Sequence, residues 1–136
     1  MYLAIDTATS ILSLVLIDNE GVKGQLQWRT DRNHTAELIP GIQYLLCKAG
    51  ITLHDMEGFI VARGPGGFSG LRVGITTAKG FALSTKCPLV GIGTLDAAAF
   101  QYVGLGYPVC SILDVGKDDI AAASYGWKNS FMEKII

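Results

Sequence analysis

The chain lacks the features that would mark it as a nucleic-acid binder, a secreted domain or a membrane protein. Acid and base nearly cancel: 11 Lys and Arg stand against 12 Asp and Glu, a formal charge of −1 over 136 residues. A protein that holds RNA or DNA by itself needs a basic surplus or stripe, so direct tight binding is not expected. The three cysteines, Cys47, Cys87 and Cys110, are odd in number and form no C-x-x-C. That argues against a disulfide framework or zinc ribbon and suits a reducing, cytoplasmic setting. His34 and His54 are the only histidines and form no H-x-x-x-H, so metal chemistry has little to draw on, and each reads as a surface or capping residue. The longest apolar run, Ile11 to Ile17, is interrupted by Ser13 and is far too short to span a bilayer. Met1 to Asp6 carries no basic n-region, so neither a signal peptide nor a membrane partner is expected.

What is present is an apolar chain long enough for one modest domain with a real core. Strand patterns cover Tyr2 to Asp6, Leu12 to Asp18 and Val22 to Arg29, with a hairpin signal at Asn19-Glu20-Gly21. Leu38, Ile39, Ile42, Leu45, Leu46 and Ala49 recur at helical spacing, and Gly50 supplies a stop. Pro40 predicts either a kink there or a helix that begins near Leu38. Thr52 and Asp55 look like a capped single turn. Phe59 to Ala62 and Pro88 to Ile92 read as strands, and Thr94 is placed as the cap of a helix with Asp96 in its first turn. Strands return at Val109 to Asp114 and Ile120 to Tyr125, while Gly126 to Ile136 gives no assignment. Leu3 to Thr7 and Ser111 to Val115 echo one another, each an apolar strand with an acid at the turn. The echo suggests two related halves, the second stopping after two strands.

The stretch from Ala62 to Gly74 is the most informative. An apolar strand leads into Gly64-Pro65-Gly66-Gly67-Phe68-Ser69-Gly70, and a helix is predicted from Leu71 to Leu83. Strand, glycine turn and helix together aim backbone N–H groups at an anion. No lysine follows the glycines as a P-loop requires. The dinucleotide pattern fails at Ser69, with Gly70 one residue late. Gly67-Phe68-Ser69-Gly70-Leu71 misses the last glycine of a nucleophile elbow. What remains is a generic anion site: Gly64, Gly66, Gly67, Ser69 and Gly70, with Arg72 as a fork-shaped cation. Asp6, Thr7 and Asp114 sit at strand ends where a magnesium-bound phosphate could rest, or where they only organise their turns. Gly70, Gly74, Ala78 and Ala82 form a stripe of small residues. It packs either on the chain's own sheet or against a partner helix, and Ile42, Leu45 and Leu46 carry the same choice.

Three stretches together resemble the TsaB (YeaZ) family: Ile5-Asp6-Thr7-Ala8-Thr9-Ser10, Gly64 to Gly74, and Leu89-Val90-Gly91-Ile92-Gly93-Thr94-Leu95. His34 with Leu38-Ile39-Pro40 also looks like the family's first helix, and the likeness runs over residues 1 to 125. The resemblance implies an α/β fold of the actin-like ATPase type (ribonuclease H-like): a mixed five-stranded sheet with helices over 1–105, then the start of a shortened second half over 106–136. It implies a non-catalytic role in making N6-threonylcarbamoyladenosine in tRNA, beside a TsaD-like catalytic subunit and a TsaE-like ATPase. tRNA would be met only through that complex. The catalytic relative carries two metal-binding histidines in a G-V-N-H-x-E-G-H run; here Gly91 to Ala98 puts Thr94 and Ala98 at those positions. No intrinsic metal or cofactor is therefore expected, with ATP or ADP and magnesium confined to a partner interface. Asp114 to Ile120 only loosely resembles the family's D-A-R-x-x-E-V run, with Gly116 in place of the arginine. A homodimer is the alternative assembly. A small actin-like ATPase or phosphotransferase, or a glycoprotease-like protein, is the alternative activity.

Overall fold

The computed structural model describes residues 1–128 and 131–136. The chain runs β1 (Tyr2–Asp6), β2 (Ile11–Asp18), β3 (Gly21–Arg29), α1 (His34–Ala49), a 3-10 turn (Leu53–Asp55), β4 (Gly58–Ala62), α2 (Phe68–Thr85), β5 (Leu89–Ile92), α3 (Thr94–Phe100), β6 (Val109–Gly116), β7 (Asp119–Lys128) and β8 (Phe131–Lys134). The first five strands form one mixed sheet in the order β3-β2-β1-β4-β5; β6, β7 and β8 form a second, antiparallel one. The mixed five-stranded sheet is the one the family resemblance implied.

Alternation builds the first core. Leu3, Ile5, Leu12, Leu14, Leu16, Phe59 and Val61 face one side of the sheet and are buried against Leu38, Ile42, Leu45 and Leu46 of α1 and Ala78 of α2. β1 pairs β4 in parallel, so the chain must cross over through α1. Ile42, Leu45 and Leu46, which the sequence left open between a partner interface and the chain's own core, are between 1 and 8 % exposed and lie in the core. The apolar face of α1 is consumed by its own sheet. The small-residue stripe resolves the same way: Gly70, Gly74 and Ala78 are buried, and Ala82 packs against the core from its margin.

Local details differ from the sequence reading. α1 begins at His34, with Pro40 inside it and Gly50 closing it in the left-handed conformation. Pro40 lacks an N–H, which deprives the Ala36 carbonyl of its helical partner. α2 starts at Phe68, three residues before the predicted Leu71, so the last residues of the glycine run are already helical. Gly93, not Thr94, caps α3. The unassigned tail extends β7 to Lys128 and adds β8; Asn129 and Ser130, within it, lie outside the described residues. α3 covers the second sheet through Leu95 and Ala99, which pack on Ala123 and Tyr125.

Candidate functional site

An open cleft of about 680 Å³ lies between the two sheets' turns. One wall is the β1–β2 turn, Thr7 to Ser10. The floor is the start of α2, Gly67, Ser69 and Gly70. The segment Thr30 to Arg32 with His34 closes one side, and Leu113 to Gly116 of the second sheet closes the other.

Glycine makes this close approach possible. A Cβ on Gly66 would strike the Ala8 carbonyl, one on Gly70 the Thr7 carbonyl, and one on Gly74 the Thr7 hydroxyl. The contact is also hydrogen-bonded: Gly67 N–H donates to Ala8 O at 2.7 Å, and the Thr7 hydroxyl donates to Gly70 O at 2.8 Å. The glycine run thus clamps α2 onto the β1–β2 turn. His34 fixes the turn from the far side, its Nε2 donating to Thr9 O at 2.9 Å.

The predicted site residues divide. Thr7, Gly67, Ser69 and Gly70 line the cleft. Gly64 lines a small polar pocket beside Asp96, and Gly66 is taken up by its contact with Ala8. Asp6 borders the opposite, uncovered face of the sheet, and its Oδ1 accepts the Ala8 N–H at 2.9 Å. Arg72, expected beside the anion, instead borders the groove between α1 and α2, with its guanidinium 5.4 Å from the Phe68 ring centroid. Helical twist carries it there: five residues into α2 it lies on a different side from Gly70 and Gly74. Asp114 does reach the cleft, but its Oδ1 holds the Gly116 N–H at 2.8 Å. Both aspartates therefore organise their turns.

Sequence reading missed the cleft's cation, Arg32, which comes from the β3–α1 connection and carries no glycine or spacing signal. His34, read as a surface or capping residue and as part of the family's first helix, opens α1 and lines the cleft as well. The one available hint was Arg32's neighbourhood, Thr30-Asp31-Arg32-Asn33, a run of turn-forming polar residues. Thr94 is 9 % exposed, and its hydroxyl has no hydrogen-bond partner among the described residues. Among the same residues no group of three or more His, Cys, Asp or Glu side chains is placed to hold a metal ion.

This geometry can be set beside known proteins. A family model described as TsaD, tRNA N6-adenosine threonylcarbamoyltransferase, matches residues 22–136. The chain is 27% identical over 134 residues to the tRNA threonylcarbamoyladenosine biosynthesis protein TsaB of Bacillus subtilis, covering 98% of this chain and 58% of that protein. It is 39% identical over 97 residues to the Escherichia coli protein of the same name, covering 71% of this chain and 42% of that one. YeaZ from Pseudomonas aeruginosa superposes with a TM-score of 0.84 at 26% identity, over 98% of this chain and 63% of that one. The chain belongs to the TsaD family, in its TsaB (YeaZ) branch. It spans about three-fifths or less of the TsaB and YeaZ proteins it matches. In this TsaB-branch chain the glycine run serves packing: it seats α2 against the β1–β2 turn. In the same branch frame, the run Gly91 to Ala98 forms the end of β5 and the start of α3, so Thr94 and Ala98 are both on α3.

Proposed function

We propose that this chain is a non-catalytic TsaB-type subunit that supports a TsaD-like catalytic partner in forming N6-threonylcarbamoyladenosine in tRNA. The observation that carries the reading is Thr94 and Ala98. They stand where the resemblance places the catalytic relative's two histidine ligands, and alanine offers a metal nothing. Thr94, the first residue of α3, is buried, and among the described residues no group of His, Cys, Asp or Glu side chains stands with it to hold a metal.

The partner surface is the outer edge of the α1–α2 pair. The inner residues are spent on the core, and a groove of about 490 Å³ remains between the helices, bordered by Ile39, Arg72, Val73 and Thr76. A nucleotide belongs to this reading only within the assembled complex. The cleft offers Ser69, Arg32 and the α2 N-terminus to phosphate, but no lysine, and Asp6 and Asp114 are engaged with backbone N–H groups.

Co-expression with TsaD and TsaE, together with rescue of cells lacking TsaB, tests the proposal. We expect a co-purifying complex, restored threonylcarbamoyladenosine in hydrolysed tRNA, and ADP binding by the complex but not by the isolated chain. No complex and no rescue would overturn it. Turnover of ATP by the isolated chain would favour an independent ATPase.

A further inference from the structure

We draw no further inference here: the strongest candidate, the exposed apolar stretch from Phe100 through Leu105 to Tyr107 that joins α3 to β6, supports no proposal because nothing in the structure shows what covers it.

Discussion

The Tyr125 hydroxyl donates to Asp96 Oδ1 at 2.6 Å, tying β7 of the second sheet to α3. Tyr125 is 1 % exposed, and α3 is the element that connects the two sheets. Burial disfavours the phenolate, and the adjacent carboxylate disfavours it further, so the hydroxyl is pushed up to about 12 from 10.0. The folded value exceeds the unfolded one. This contribution to stability is therefore complete below pH 10 and is lost as pH rises from 10 toward 12. A phenolate absorbance titration should show one of the five tyrosines ionising late, and Asp96→Ala should bring it back toward the ordinary range. Tyr125→Phe should cost about 1 kcal/mol, since the partly exposed Asp96 can recover its lost partner from water.

α2 offers a paired test of what its glycines do. Gly70→Ala places a methyl against the Thr7 carbonyl and should destabilise by about 1–3 kcal/mol, lowering Tm by several degrees. Gly80, also inside α2, is exposed, and a Cβ added there would meet nothing within 4 Å. Gly80→Ala should stabilise by up to about 1 kcal/mol through helix propensity alone. Thermal melts of the two variants should move in opposite directions.

Trp28 Nε1 donates to Glu37 Oε2 at 2.6 Å, joining β3 to the first turn of α1. That hydrogen bond, with further ones from Thr30 and Asn33, holds the carboxyl below its ordinary 4.5. A depressed value means the stabilisation is present above 4.5 and is lost as pH falls through the folded value. Glu37→Gln keeps an acceptor but cannot titrate. Acid unfolding followed by tryptophan fluorescence should be less pH-dependent below 4.5 in this variant than in the parent.

Ile39 is 39 % exposed on the outer side of α1, while Ile42 three residues on is 1 % exposed. Ile39→Asp should abolish co-purification with TsaD while leaving the melting curve of the isolated chain nearly unchanged. Ile42→Asp should unfold the chain instead, because a lone carboxylate would enter the core. Retained binding by a folded Ile39→Asp chain would move the partner surface elsewhere.

Much of the first sheet could be read from the sequence because its cues are local. The run of Ile, Leu and Val from Ile11 to Ile17, closed by Asp18, reports a strand from residue type alone, and the glycine run marks a strand–helix junction without any partner. The end of the chain could not be read, since Gly126 to Ile136 has little alternation and owes its strand to pairing with β7. Thr94 has the residue type of a cap, yet the backbone turns one residue earlier, at Gly93, where a Cβ would meet the Asp96 carboxylate.

Most elements of the first sheet and the motifs behind the family resemblance follow from residue type at short spacing, and the resemblance in turn implied the α/β class. Which of those residues meet is a matter of packing. Packing put Ile42, Leu45 and Leu46 inside, turned Arg72 away from the cleft, and brought His34 to Thr9 and Asp96 to Tyr125. The reason is that a helix face has no inside or outside until a sheet lies against it. A cleft, likewise, is built from turns that come together only in the folded chain, here the β1–β2 turn and the Leu113–Gly116 segment more than 100 residues later.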